Sequence, residues 1–365
     1  MKIAVNASFL NERPTGVGVF TRQVSSALSS LCAETYVFSS VPIPGVDPGH
    51  VIRTPRAVRG SVRLLNNVAR LIHDNTVIPL LVRRHGIDVL FCPIAEFPIA
   101  PPVRMVVTVH DLHPLYYPGQ FGVSSAYYGF SLRRLSRAAC RVVTVSEFVK
   151  KEICARTSMS ADRVDVVPNG FDGRVFKPHA ESERPGFMRK YGLKGPYILF
   201  VGSLFPYKNV KTLVRSFLSM KGAVPHDLLI VGSREVSREP LPEDSRIRYM
   251  DYIDAADLSR FYSHADMLVH PAFFEGFGMT ALEAMACGTP VISSNGGSLP
   301  EVVGDAGLLF HPEDDRALCG LIARVAEDRG LRDELIKKGF DRVKRFSWEK
   351  TAAGILMSCE KAAAE

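Results

Sequence analysis

Residues 275–283 read Glu275-Gly-Phe-Gly-Met-Thr-Ala-Leu-Glu283, and they follow an apolar run, Asp266-Met-Leu-Val-His-Pro-Ala-Phe-Phe274, that ends in a loop. Strong helix formers continue from Met279 to Cys287. A buried strand, a glycine-bearing turn and a helix in that order make one repeat of a doubly wound α/β sheet. Gly276 and Gly278 allow backbone to approach a ligand closely. A helix opening between Gly276 and Met279 points unpaired amides and the positive end of its dipole toward the strand ends, where a phosphate binds. Glu275 stands just before that helix end, and Glu283 lies up to about 12 Å further along if every step rises ~1.5 Å. The span suits one carboxylate on a sugar and the other on a ribose, with a diphosphate between. Two glutamates on a helix are more commonly a solvated face. Against that, Glu283 is the only charge among Thr280, Ala281, Leu282, Ala284, Met285 and Ala286, where an unpaired carboxylate is costly.

The rest of the chain fits two domains of this kind. At 365 residues it exceeds the usual size of a single core. Strand-like runs cover Lys2–Asn6, Asp88–Pro93, Met105–His110, Arg141–Ser146 and Val164–Pro168, then Tyr197–Gly202, Asp227–Gly232, Asp266–His270 and Pro290–Ser294. Helical periodicity lies between them, as in Gly18–Leu31 and Asn209–Met220. A polar, proline-containing stretch, Lys177–Pro185, separates the two series. The expected fold is α/β, with two doubly wound Rossmann-like domains facing across a cleft: 1–180, 186–345, and a final helix, 346–365. Ligands are expected at the carboxyl ends of the strands.

Seven scattered cysteines with no CxxC pair point to a reduced protein without structural zinc. Met1-Lys-Ile-Ala-Val5 leads directly into a strand, and no apolar stretch approaches the ~20 residues that span a bilayer. A cytoplasmic location is expected. The net charge of +7 is unevenly placed: residues 1–182 hold 21 Lys and Arg against 13 Asp and Glu, the remainder 24 against 25. Arg53, Arg56, Arg59, Arg63 and Arg70 flank a stretch whose Val62, Leu64, Leu65, Val68, Leu71 and Ile72 make an apolar face. This face either packs on its own domain or lies on the anionic inner surface of a plasma membrane. No nucleic-acid motif accompanies the arginines, so nucleic acid is not an expected partner.

Several segments together resemble the retaining glycosyltransferases of family 4, which have the GT-B fold. They are the glutamate pair with seven residues between its members, Ala284-Met-Ala-Cys-Gly-Thr-Pro-Val-Ile292 and Gly297-Ser-Leu-Pro-Glu301, with further matches back to Gly16. The resemblance implies that Glu275 holds sugar hydroxyls, that Gly276, Phe277, Gly278, Met279 and Thr280 support the donor, and that Glu283 holds ribose. Phe200-Val-Gly-Ser-Leu-Phe-Pro-Tyr-Lys-Asn209 resembles the diphosphate-binding turn of the family, with Ser203 and Lys208 on the donor. Many relatives carry arginine at Ser203 and a basic residue at Tyr207, which leaves charge neutralisation to Lys208, backbone amides or another cation such as Arg13. Asn11-Glu-Arg-Pro-Thr-Gly-Val-Gly18 resembles the glycine-rich loop that brings Gly16 and Gly18 to the donor phosphate. This loop departs from GxGxxG, against a nicotinamide oxidoreductase.

His110-Asp111 ends a strand, where a histidine is either a satisfied structural group or a cleft residue; the likeness assigns His110 to donor-sugar contact near the reacting centre. Asp111 is expected to orient its loop, and Asn169 to form either a turn or a wall on the acceptor side. Ser146-Glu147 reads as a helix cap. The implied reaction moves a hexose from a nucleoside diphosphate sugar to an acceptor hydroxyl with retained anomeric configuration. No cofactor or metal is expected, since no DxD segment or ligand cluster is present. The second-domain turn most resembles bacterial mannosyltransferases of O-antigen assembly. A GDP-linked mannose or deoxyhexose donor and a lipid-linked glycan acceptor in lipopolysaccharide or related polysaccharide synthesis therefore follow from the resemblance. A UDP-sugar donor, a sugar-nucleotide epimerase and a non-catalytic scaffold are the alternatives.

Overall fold

The computed structural model describes residues 1–11, 16–55, 63–233, 242 and 244–365, with backbone alone for 63–67 and 123. The chain separates into two units, Met1–Gly170 with Ser347–Glu365, and Phe171–Phe346. Arg13, Arg56, Arg59 and Val62 fall outside the described residues, as do the side chains of Arg63, Leu64 and Leu65.

In the first unit the order is β1 (Ile3–Asn6), α1 (Gly16–Leu31), β2 (Thr35–Ser39), β3 (Val51–Arg53), α2 (Arg63–His85), β4 (Val89–Cys92) and β5 (Arg104–Val109). Then come α3 (His113–Tyr116), α4 (Pro118–Phe121), α5 (Val123–Ala138), β6 (Arg141–Thr144), α6 (Glu147–Arg156) and β7 (Val164–Val166). All pairings are parallel, in the order β3-β2-β1-β4-β5-β6-β7. Helices cover both faces of such a sheet, which is why β1 and β4 are buried at every position and read as unbroken apolar runs. Chain order reverses between β1 and β4, the place where doubly wound sheets open a crevice. Ser146 caps α6, accepting from Val149 N at 3.2 Å.

The second unit contains α7 (Arg184–Tyr191), β8 (Tyr197–Val201), α8 (Val210–Ser219), β9 (Asp227–Val231), β10 (Ile247–Met250), α9 (Ala255–Ser263) and β11 (Met267–His270). It continues through α10 (Met279–Ala286), β12 (Val291–Ser294), α11 (Leu299–Val303), β13 (Gly307–Phe310), α12 (Asp315–Glu327) and α13 (Arg329–Val343). Its parallel order is β10-β9-β8-β11-β12-β13, with the reversal between β8 and β11. On α8, Val210, Leu213, Val214 and Phe217 are buried, and each such side chain contributes about 1.5–3 kcal/mol by leaving water. Arg215 on the opposite face reaches Asp315 at 2.5 and 2.7 Å.

The last helix, α14 (Trp348–Ala364), belongs to the first unit. Its Ser358 and Lys361 donate to Asp165 at 2.8 and 2.9 Å, beside Arg141, and Thr351 Oγ1 donates to Pro168 O at 2.8 Å. Burial works against ionisation of Asp165, yet these donors hold its carboxyl below the usual range.

One expected boundary shifts, and several strands add to those read from the sequence. The first boundary falls at Gly170 rather than 180, because 171–180 packs within the second unit: His179 N donates to Ser263 Oγ at 2.8 Å, and its ring meets Ser259 Oγ at 3.0 Å. Strands β2, β3, β10 and β13 were not legible in the sequence. β3, β10 and β13 are edges with partly exposed residues, so they lack a continuous apolar run. Of the apolar face read on α2, Val68 and Ile72 are 45% and 59% exposed, and the neighbouring Arg70 is engaged by Glu96 at 2.9 Å.

Candidate active site

In the second unit the two segments flanking the chain reversal meet. The turn after β8 ends in a 3₁₀ turn, Pro206–Lys208, and Asn209 takes the left-handed conformation (φ 57°) that asparagine tolerates. Its buried amide donates to Pro271 O (3.0 Å) and Pro312 O (2.7 Å), pinning the loops after β11 and β13 to the start of α8. This anchorage brings Lys208 Nζ to Glu275 Oε1 as an ion pair in which the lysine is half-buried and the glutamate buried. Tyr207 is buried and stacks on Phe205 at 5.4 Å, so it occupies the neighbouring position by packing.

Glu275 also accepts from His270 Nε2 at 2.9 Å, and Thr280 Oγ1 lies 2.9 Å from His270 Nδ1. A carboxylate only accepts, so Nε2 carries the hydrogen and Nδ1 accepts from the threonine hydroxyl. Lys208 and His270 thus share Glu275 Oε1, and Thr280 orients His270. His270 escaped the sequence reading although it ends a strand as His110 does. Thr280, expected on the donor, places its hydroxyl on His270 Nδ1.

The main chain of the loop is equally constrained. Ser298 N and Oγ both donate to Glu275 O at 3.0 Å, and Ser298 Oγ also faces Phe277 O at 3.0 Å. Gly297 adopts φ +63°, and a Cβ there would run into the Glu275 carbonyl. Gly278, at φ +106°, turns the chain into α10, where a Cβ would come within 2.7 Å of Leu299. Gly276 lies buried in the same turn, with Met279 opening the helix. Phe277 packs edge-on to Phe346 at 5.7 Å. Ser203 sits half-buried in the turn after β8.

Glu283 lies on α10 and accepts from Tyr262 OH at 3.0 Å. Burial pushes its carboxyl up to about 7, against the opposing effect of that hydrogen bond. The tyrosine is the partner that the apolar surroundings in the sequence demanded.

In the first unit, His110 follows β5. Its Nε2 donates to Pro93 O at 2.9 Å, and Phe20 meets the ring edge-on at 4.5 Å. Burial lowers its pKa, so the ring is neutral with Nδ1 as the acceptor. Asp111 Oδ1 accepts from His113 N (2.9 Å) and sits 3.0 Å from His113 Nδ1, while its carbonyl accepts from Tyr128 OH at 2.5 Å. Those bonds tie down the loop. Gly16 and Gly18 lie in the first turn of α1 rather than in a loop before it. Asn169 is buried after β7, with its Oδ1 unpartnered.

Two parallel doubly wound sheets, the second ordered 3-2-1-4-5-6 with a cation and an oriented carboxylate at its reversal, are the architecture of the GT-B fold. Models of two sequence families match: Glycosyltransferase Family 4 over residues 14–174 and Glycosyl transferases group 1 over 184–342. Among curated proteins, O-antigen chain mannosyltransferase B of Escherichia coli is 34% identical over 260 residues, 67% of each chain. D-inositol 3-phosphate glycosyltransferase of Acidothermus cellulolyticus is 35% identical over 249 residues, 62% of this chain and 54% of that one. Sucrose-phosphate synthase of Thermosynechococcus elongatus superposes with a TM-score of 0.78 at 22% identity, covering 100% of this chain and 99% of that one. An Anabaena protein solved with UDP and glucose gives 0.73 at 17%, covering 99% and 100%. The chain belongs to glycosyltransferase family 4.

Proposed function

We propose that the protein transfers a hexose, mannose or a related deoxyhexose, from a GDP-sugar to a hydroxyl of a lipid-linked glycan in bacterial O-antigen or related polysaccharide synthesis, with retention. The observation that carries this reading is the Lys208–Glu275–His270 network at the mouth of α10, joined to the likeness to an O-antigen mannosyltransferase. Lys208 and the amides of Gly278 and Met279 would stabilise the diphosphate as negative charge develops on it. Glu275 would hold sugar hydroxyls, Glu283 the ribose diol, and His110 Nδ1 a further donor-sugar hydroxyl.

The bond between C1 and the diphosphate oxygen would break as the acceptor oxygen bonds C1 on the same face. The leaving phosphate oxygen would take the acceptor proton. Glu275 would not act as a glycosidase-type nucleophile, because Lys208 and His270 both engage its Oε1 and its proposed role is to accept from sugar hydroxyls. No metal or cofactor is proposed; the cations and amides named here would carry the charge stabilisation.

A peripheral membrane contact is proposed for α2, where Val68, Ile72 and Leu80 form an exposed stripe ahead of exposed Arg83 and Arg84. No described helix is long and apolar enough to cross a membrane. A UDP-sugar donor is the second reading, favoured by the fold neighbour solved with UDP and glucose. Calorimetry with GDP and UDP side by side, followed by turnover of GDP-mannose and NMR of the product anomer, tests the proposal. GDP preference with an axial product linkage is expected; UDP preference overturns the donor, and binding of neither nucleotide overturns the enzyme reading.

A further inference from the structure

Three side chains spaced five positions apart, His270, Glu275 and Thr280, form one chain of contacts at the start of α10, and Lys208 joins its end. The histidine is the rigid member. It ends β11, an inner strand paired with β8 and β12, its backbone registers with Ser293, and its side chain is only 5% exposed. Thr280 Oγ1 holds Nδ1 at 2.9 Å and Nε2 donates to Glu275 Oε1 at 2.9 Å, so both ends of the imidazole are fixed. Lys208 is the adaptable member. It leaves a 3₁₀ turn on a four-carbon stem, and its ammonium carries three hydrogens that can turn to any acceptor within reach.

Both residues engage the same oxygen, Glu275 Oε1. A nucleoside diphosphate carries more negative charge than a carboxylate and draws the ammonium more strongly. Once Lys208 turns to it, Glu275, a side chain 9% exposed, keeps its charge only at a cost unless a donor stays with it. The His270 N–H is such a donor. Because Nδ1 accepts from Thr280, the imidazole offers a hydrogen bond rather than a second ion pair, which leaves the carboxylate a strong acceptor for sugar hydroxyls.

We propose that His270 is the positioning residue of the donor site: it keeps Glu275 charged and aimed at the sugar while Lys208 exchanges that carboxylate for the diphosphate. Thr280 serves the same end by fixing the tautomer. This rests on the reading of the protein as a glycosyltransferase with Lys208 on the diphosphate and Glu275 on the sugar, and adds to it a change of partner.

The test is a double-mutant cycle on nucleoside diphosphate binding, with GDP and UDP as probes, followed by transfer kinetics. His270→Phe should weaken the tighter of the two nucleotides about tenfold, since release of Lys208 then leaves Glu275 without the imidazole donor. In the Glu275→Gln background the same replacement should change Kd by less than about twofold, because there is no ion pair to open. At saturating donor, kcat of His270→Phe should fall about 10- to 100-fold, and His270→Gln, whose amide can donate to Glu275 in place of the ring, should recover most of it. Each variant is checked by its melting temperature. If His270→Phe does not fold, Thr280→Val carries the test: it releases Nδ1, so the histidine nitrogen-15 shifts should lose the pure Nε2–H pattern and kcat should fall about three- to tenfold. An unchanged nucleotide Kd in His270→Phe, an equal loss in the Glu275→Gln background, a His270→Gln variant no better than His270→Phe, or unaltered shifts and kcat in Thr280→Val overturns the proposal. If a nucleotide binds and the cycle shows the coupling but no sugar is transferred, the transferase reading fails while the role of His270 stands; if the wild type binds neither nucleotide, both fall.

Discussion

The two units wind their sheets alike and place polar side chains at the same reversal of chain order, yet they finish those places differently. In the second unit, Glu275 is bound by Lys208 and His270, His270 by Thr280, and the loop carbonyl by Ser298. In the first unit, His73 and one oxygen of Glu96 are buried without partners. A saturated network fixes a carboxylate in advance and costs nothing to reorganise when charge develops. An under-bonded one costs stability, about 1–3 kcal/mol per buried group.

The largest expected effect comes from breaking the saturated side. Glu275→Ala should lower kcat/KM for transfer on the order of 10³-fold, since it removes the proposed sugar contacts and leaves the half-buried Lys208 ammonium without its carboxylate. Steady-state kinetics measure the loss, and a loss below tenfold would mean the network is mere packing. Gly297→Ala strikes the same network through the backbone. The left-handed φ and the collision with the Glu275 carbonyl should cost about 1–3 kcal/mol in urea unfolding, together with much of the activity. A variant as stable as the parent would show that the loop yields.

The first unit should behave in the opposite sense. Replacing His73 by Leu removes unpartnered polar atoms, so unfolding free energy should hold or rise by up to ~2 kcal/mol. A clear destabilisation would place a structural partner on that ring and erase the contrast.

The smallest effect concerns Glu283, whose folded carboxyl sits near 7 against an ordinary 4.5. Between those values the folded state binds the extra proton, so this group's contribution to stability falls as pH rises from about 4.5 through 7. Ribose hydroxyls donate to the ionised form, so nucleotide affinity should rise roughly tenfold from pH 6 to pH 8. Titration of GDP or UDP against the wild type and Glu283→Gln isolates this from phosphate ionisation. Equal slopes in the two proteins would remove Glu283 from the ribose.

Where residues had to be apolar on both sides, the chain declared its fold openly. β1, β4, β8 and β11 announce themselves as unbroken runs, and Gly278 followed by helix formers announces α10. Edge strands such as β3 and β13 did not, because half of each faces water and their residues resemble loop. Glu275, Lys208 and Glu283 were legible as site residues because charge in an apolar or glycine-rich setting demands a reason. Their partners were not.

By itself, the sequence determined two doubly wound units, the family and the principal charged residues, since these depend on short-range periodicity and local motifs. Only the tertiary structure decided what each charge is spent on. His270 and Thr280 hold Glu275, Tyr262 satisfies Glu283, Arg70 is taken by Glu96, and His73 is left unpaired beside Asp74. Most of these pairs join residues ten or more positions apart in the chain. Hydrogen bonds act over about 3 Å, and only the packing of helices on a sheet brings such residues within that reach.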